Sequence, residues 1–242
     1  MRKIVAVIPA YNEVAVCNVA LRTKNVLEKY GDYRIFVVDD GSTDRTYEKL
    51  LSLKSEIPNL QIIRNPRNLG YGDALRRGLI AAAKEKPYCT LTIDGDGQHR
   101  PEEFDERFLE PIERDEADIV VAKPIGIRKE EHHVLKDIWR CICTYLFDIF
   151  SPSVKLTYST GGMRAFSQKA LKTINLPPYI GRCSPAELIT LQAVMRGLKI
   201  VEIPTVYDER KNGKSFTSLS YPIRNIPIIG LNILIEVLRQ IF

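Results

Sequence analysis

The chain has 242 residues, enough for one α/β domain with a small appendage. Hydrophobic residues make up 45% of it, ample for a globular core. A net charge of +5, from 35 basic and 30 acidic residues, is too mild to argue for nucleic acid, yet it suits a protein that meets phosphates or an anionic membrane surface.

"KIVAVIP" (3–9) is a Val- and Ile-rich run stopped by Pro9 and reads as a buried strand. It is too short to be a secretory signal and ends in a polar turn. "NEVAVCNVALRTKNVLEKYG" follows, with Val14, Cys17, Leu21, Val26 and Leu27 at a rough helical period and Gly31 at the expected end. "RIFVVDD" (34–40) reads as a second strand. "STDRTYEKLLSLK" opens on the N-cap types Ser42, Thr43 and Asp44 and continues as a helix. "LQIIRN" (60–65) gives a third strand, "GYGDALRRGLIAAAKEK" a helix ended by Pro87, and "CTLTID" (89–94) a fourth strand. Next come a helix after Pro101, a strand at "DIVVAK" (118–123) and a long helix around 131–150. "GGMRAF" precedes a helix near "SQKALKTI", another lies near "PAELITLQAVMRG", and "KIVEIPTVY" reads as a strand. Strand and helix alternate, which predicts an α/β fold with a mostly parallel sheet flanked by helices. The five cysteines (Cys17, Cys89, Cys141, Cys143, Cys183) are odd in number and lack a Cys-x-x-Cys pair, so they read as reduced thiols of a cytoplasmic protein.

Ligands of open parallel sheets bind beyond the carboxyl ends of the strands. Here the first four strands end in polar clusters: Tyr11, Asn12 and Glu13; Asp39 and Asp40; Asn65, Arg67 and Asn68; Asp94, Asp96, Gln98 and His99. All four ends share one edge, which predicts a polar, acidic crevice. An acidic crevice repels a diphosphate unless a divalent cation bridges the two, and Mg²⁺ or Mn²⁺ takes oxygen ligands of this kind. "LTIDGDGQH" (91–99) leaves two readings open: carboxylates presented to one ion, or a Gly-Asp-Gly turn closing a hairpin. "GYGDAL" (70–75) has Leu75 at the third glycine position of a dinucleotide fingerprint and follows the wrong strand, so Gly70 and Gly72 read as a tight start to a helix. His132 and His133 lack the helical spacing of metal ligands, and no Gly-x-Ser-x-Gly or P-loop occurs.

The stretches "VIPAYNE", "VVDDGSTDRT", "NPRNLGYGDALRRG", "IDGDGQHRPEE", "GGMRAF" and "GLKIVEIPTVYDERKNGKS" occur in order over residues 3–215. Together they resemble the family 2 glycosyltransferases of GT-A (Rossmann-like) fold, and within them the dolichyl-phosphate mannose synthase group. The resemblance implies an inverting transferase that takes a hexose, mannose or glucose, from a GDP- or UDP-linked donor. Carried over residue by residue, Pro9, Tyr11 and Glu13 would line the nucleotide pocket, with Gly70 beside it. Asp40 would bond the base and Asp39 support the turn. Asp94, Asp96 and Gln98 match the metal and diphosphate motif, for Mg²⁺ or Mn²⁺. Arg164 matches an arginine near an acceptor phosphate, Glu187 an acidic position, and Arg210 and Ser215 the closing loop near the diphosphate.

Three stretches depart from the group's pattern. "YSTGGMR" carries Tyr158 for an aspartate and Gly161 for a serine, "AKPIGIR" leaves Lys123 or Arg128 to supply a positive charge, and "NGKSF" has Phe216 where a lysine is common. All three fall on the acceptor side or the lid. A lipid-phosphate acceptor needs no general base, whereas a glycan or glycolipid hydroxyl needs one, for which Glu187 is the candidate. A sugar-phosphate nucleotidyltransferase, releasing pyrophosphate, and a non-catalytic nucleotide-sugar binder are the readings from other classes.

Residues 1–217 are expected to form the transferase domain and 218–242 an amphipathic helical tail. In the tail, Asn232, Glu236, Arg239 and Gln240 form a narrow polar stripe on an otherwise apolar helix. From Ile228 to Phe242 that helix would be about 22 Å long at ~1.5 Å per residue, too short for a ~30 Å hydrocarbon core. It is expected to lie in a membrane interface, with Lys211, Lys214 and Arg224 near anionic headgroups, or to dock on its own domain or a second copy. A peripheral protein on a cytoplasmic membrane face, taking a nucleotide sugar and a polyprenyl or dolichyl phosphate, is the combined expectation.

Overall fold

The computed structural model describes residues 2–125, 138, 141–143, 145, 147, 149–150, 156–158, 161–178, 180, 185–208 and 221–241, with side chains of the last segment described from 225 to 239. Seven strands make one sheet: β1 (Ile4–Ala10), β2 (Tyr33–Asp39), β3 (Leu60–Arg64), β4 (Cys89–Thr92), β5 (Ile119–Ile125), β6 (Arg164–Ser167) and β7 (Ile200–Val206). Their order is β3-β2-β1-β4-β6-β5-β7. The β1 pairings with β2 and β4, and those of β2 with β3 and β5 with β7, are parallel. Strand β6 runs antiparallel between β4 and β5. Strands β1 to β5 and β7 therefore point their carboxyl ends to one edge.

The β1 residues alternate between two cores, as a pleat of period 2 requires. Ile4, Ala6 and Ile8 face α1 (Val16–Leu27), through Val16, Val19 and Leu27, together with Phe104 and Phe108. Val5 and Val7 face the opposite layer, which holds Leu75 and Leu79 of α3 (Tyr71–Lys84) and Leu188 and Leu191. The remaining helices are α2 (Thr46–Ser52), α4 (Glu106–Glu113), α5 (Gln168–Thr173), α6 (Pro185–Met195) and α7 (Tyr221–Ile241). All eleven residues of α6 are buried, which explains its lack of amphipathic pattern. Helical residues at 138, 141–143, 145, 147 and 149–150 agree with the expected helix around 131–150, most of which lies outside the described residues.

Three sequence expectations change. "GGMRAF" contains strand β6, not merely the approach to a helix; four buried residues beginning with an arginine carry little strand signal. The Gly-Asp-Gly turn closes no hairpin, because β4 leads into a 3₁₀ turn at Pro101–Glu103 and then α4, and its antiparallel neighbour β6 lies some 70 residues on. The tail helix begins at Tyr221, not Ile228, and its 21 residues span about 31 Å at ~1.5 Å per residue. Even so, among the described residues no helix is long and apolar enough to cross a membrane.

The tail helix α7 docks on its own domain. Asn225, Ile229, Asn232 and Glu236, spaced as one helical face, are buried. Ile229 joins the core layer of Leu188 and Leu191. The Arg196 guanidinium, just past α6, donates from Nε to Glu236 Oε2 at 2.9 Å. Arg239 bridges the same carboxylate at 2.9 Å, and these cations hold Glu236 below its usual pKa. Asn232 and Glu236 of the polar stripe thus turn inward while Arg239 stays exposed, and Ile226, Leu231, Leu234 and Leu238 face solvent.

Candidate active site

The first two strand ends are tied together by Asn12, which sits at φ 48°. Its Oδ1 accepts from the Thr43 amide at 2.8 Å, and its backbone amide donates to Ser42 Oγ at 2.9 Å. Tyr11 and Glu13 flank it, half-buried. Pro9 is buried within β1, and its carbonyl oxygen would lie 2.8 Å from a Cβ at Gly95. The first strand's end thus packs directly against the loop that carries Asp94 and Asp96.

Asp39 and Asp40, at the end of β2, are both buried. Asp39 accepts from the Ser42 amide at 3.1 Å and pairs with Arg64 at 3.2 Å. Asp40 gathers the next loop: Asn65 Nδ2 donates to its Oδ1 at 2.6 Å, the Leu69 amide to the same oxygen at 2.9 Å, and the Gly70 amide to Oδ2 at 2.7 Å. A carboxylate has about four acceptor positions, so most of Asp40's capacity serves the chain itself. Gly41 between these loops has φ 70°, and a Cβ there would come within 2.5 Å of the Arg67 backbone. Only glycine fits that approach.

Gly70 precedes α3, and Tyr71 in the first turn donates its hydroxyl to Asp94 Oδ1 at 2.6 Å. Burial, reinforced by the Asp94 charge, pushes the Tyr71 phenol well above its ordinary pKa, so it stays a donor. Asp94 and Asp96 are half-buried beyond β4. Asp96 Oδ1 accepts from the Gln98 amide at 3.1 Å, closing a turn around Gly97. Beyond it, the Gln98 carbonyl accepts from the Asp208 amide at 2.8 Å, and His99 forms an isolated bridge to Tyr207. Their rings meet edge to face at 4.9 Å. Burial lowers the His99 pKa to about 4, so the imidazole is neutral near pH 7.

The residues expected on the acceptor side are less open than the sequence implies. Arg164 starts β6 in register with Thr92, and only 2% of it is exposed. Its Nε donates to the Gly161 carbonyl at 2.9 Å and its Nη1 to Thr190 Oγ1 at 3.1 Å. Burial lowers its pKa to about 10, and the charge of Glu187 opposes that most strongly. Glu187, on α6, is 0% exposed. Both residues are buried rather than open to solvent. Lys123 lies 3.8 Å from Glu202, whose carboxylate holds the Thr157 amide at 2.7 Å. Arg128, Arg210 and Ser215 lie outside the described residues, as do Lys211 and Lys214.

Carboxylate and amide oxygens of Asp94, Asp96 and Gln98 are the donor type that Mg²⁺ and Mn²⁺ prefer. Among the described residues no group of three His, Cys, Asp or Glu side chains forms a metal cage. The set therefore fits a cation that completes its shell with ligand oxygens, as Mg²⁺ commonly does with phosphates. Two residues escaped the sequence reading, Tyr71 and Gly162, while Asn12 was named only as part of a polar cluster. Their roles depend on which loops meet, although Tyr71 in the first turn of a helix after a strand end was the available signal.

Comparison with known proteins bears on this crevice. The sequence model of Glycosyl transferase family 2 matches residues 5–174. Over 225 residues the chain is 30% identical to the UDP-N-acetylglucosamine–dolichyl-phosphate N-acetylglucosaminyltransferase of Methanococcus voltae, covering 84% of this chain and 85% of that one. It is 26% identical over 220 residues to the undecaprenyl-phosphate mannosyltransferase of Micrococcus luteus, covering 88% and 86%. Glucosyl-3-phosphoglycerate synthase from Mycobacterium tuberculosis, solved with Mn²⁺, UDP and glucosyl-3-phosphoglycerate, superposes with a TM-score of 0.64 at 18% identity, covering 99% of this chain and 80% of that one. That likeness is one of fold, the GT-A arrangement.

Proposed function

The chain belongs to glycosyl transferase family 2, and on that premise we propose that it moves a hexose, mannose or glucose, from a GDP- or UDP-linked donor to a polyprenyl or dolichyl phosphate, with inversion and with a divalent cation. The observation that carries the acceptor class is the burial of Glu187 at 0% exposure, where its charge favours the ionised form of the buried Arg164. A hydroxyl acceptor needs a base within hydrogen-bond reach of its proton. A lipid phosphate is already anionic and needs none, so a buried Glu187 costs that reaction nothing. The M. voltae and M. luteus relatives, named for dolichyl and undecaprenyl phosphate acceptors, support the same class.

Asp94, Asp96 and Gln98 would hold Mg²⁺ or Mn²⁺, which when bound supplies Lewis-acid stabilisation of the charge on the leaving diphosphate. Tyr11 and Glu13 are the residues proposed for the nucleoside, and Asp40, with Asp39 supporting, shapes that wall through the 65–70 loop. Arg210 and Ser215, with Lys123 or Arg128, are proposed to add positive charge or donors near the diphosphate and acceptor phosphate. Arg164 would act on the acceptor side as a buried positive charge.

A transfer assay tests this reading. Nucleotide sugars are presented with polyprenyl phosphate in vesicles and Mg²⁺ or Mn²⁺, and products are identified. Release of a nucleoside diphosphate with a lipid-linked sugar is expected; pyrophosphate would sink it, as would transfer to a glycan hydroxyl alone.

The exposed apolar residues support a membrane surface as partner. Leu231, Leu234 and Leu238 of α7 stand clear of the domain, as do Ile138, Ile142, Tyr145 and Ile149 at helical spacing. Truncating the tail is a poor test, since it would strip Ile229 from the core and leave Arg196 without Glu236. The double substitution Leu234→Glu and Leu238→Glu is cleaner. It is expected to cut binding to anionic vesicles by about tenfold or more while the melting temperature holds, because it removes roughly 2–3 kcal/mol of apolar burial in the interface. Unchanged sedimentation with vesicles would overturn the membrane role.

A further inference from the structure

Asp94 is held from two sides by groups that no sequence motif assigns. On one side the Tyr71 hydroxyl donates to Oδ1 at 2.6 Å, a short bond to an ionised acceptor. On the other, Gly162 closes in so tightly that a Cβ would fall 1.9 Å from Asp94 Oδ2. Gly162 is itself fixed, since its carbonyl accepts from Thr92 Oγ1 at 3.0 Å. An unrestrained aspartate samples several χ1 wells. This phenol and this backbone both restrict which arrangement Asp94 adopts.

The phenol is in turn anchored. Tyr71 follows Gly70, whose amide Asp40 Oδ2 accepts at 2.7 Å, and Asp40 Oδ1 holds Leu69 and Asn65. The buried carboxylate at the end of β2 thus fixes the loop that delivers Tyr71, and Tyr71 fixes the carboxylate at the end of β4. We propose that Tyr71 is a positioning residue for the donor site, locking Asp94 in the rotamer that receives the cation and diphosphate, and that Asp40 acts on Asp94 through it. The inference rests on the reading of Asp94 as a ligand of that kind.

Free Mn²⁺ is counted by electron paramagnetic resonance as it is titrated into the full chain with UDP, and separately with GDP. Tyr71→Phe keeps the ring and removes the donor. It is expected to weaken Mn²⁺ binding about tenfold, the scale of one bond to a charged group. Melting of the metal-free variant should stay near wild type, which separates positioning from a merely structural role. Asp40→Asn is expected to weaken Mn²⁺ binding as well, and the double variant to bind no worse than the weaker single variant, since both act along one route. Wild-type affinity in Tyr71→Phe, or fully additive losses in the double variant, overturns the inference alone. A wild-type protein that binds no Mn²⁺ with either nucleotide overturns the cation reading and takes this inference with it.

Discussion

Replacing Asp96 by alanine is expected to lower turnover by about 10³-fold while leaving the fold in place. The two halves of that expectation have separate causes. Asp96 is half-buried beyond β4, and within its own loop it accepts from the Gln98 amide at 3.1 Å. A substitution there costs about 0.5 kcal/mol or less, a shift of about 2 °C or less in a domain of this size. Its carboxylate, however, is proposed to hold the cation that meets charge developing on the leaving diphosphate. Removing one such preorganised group commonly costs ~10²–10³-fold in rate, and a lost metal ligand falls at the upper end. Steady-state turnover together with thermal melting checks both halves. A variant that still turns over within tenfold of wild type removes Asp96 from the cation's shell.

The shared edge of polar strand ends was legible because its parts announce themselves locally. Runs such as "IVAVIPA" and "IFVVD" carry strand patterning, and a polar cluster after each run lands on the same edge once the strands are parallel. Strand β6 was not legible, since four residues led by a buried arginine look like a loop before a helix. Asp40 shows a subtler limit. Its type and place mark it as part of the site, but its three bonds to the 65–70 loop depend on where that loop folds back. The tail shows the same limit. Periodicity displays a stripe at Asn232 and Glu236 but not which way it faces, because that depends on Arg196, forty residues earlier in the chain. A polar stripe turned inward needs a charged partner, and no helical pattern encodes one.

Glu187→Ala is expected to destabilise the protein by about 2–3 kcal/mol, roughly 5–10 °C in melting temperature, because it removes the charge that most strongly favours the buried, ionised Arg164 guanidinium. Glu187→Gln keeps the shape and removes the charge. If Glu187 only balances Arg164, the glutamine variant loses stability in the same direction while turnover, measured where it remains folded, stays within about tenfold. A general base behaves otherwise: its amide would lose roughly 10²–10⁴-fold in turnover and the acidic limb of the pH–rate profile would vanish. The pair also predicts non-additivity. Arg164→Met combined with Glu187→Leu should be more stable than Glu187→Ala alone, since taking both buried charges away costs less than leaving the guanidinium without the charge that most favours it. The same three proteins thus decide the acceptor's chemistry. A base at Glu187 would call for a hydroxyl, and a silent counter-charge leaves an acceptor that arrives already ionised.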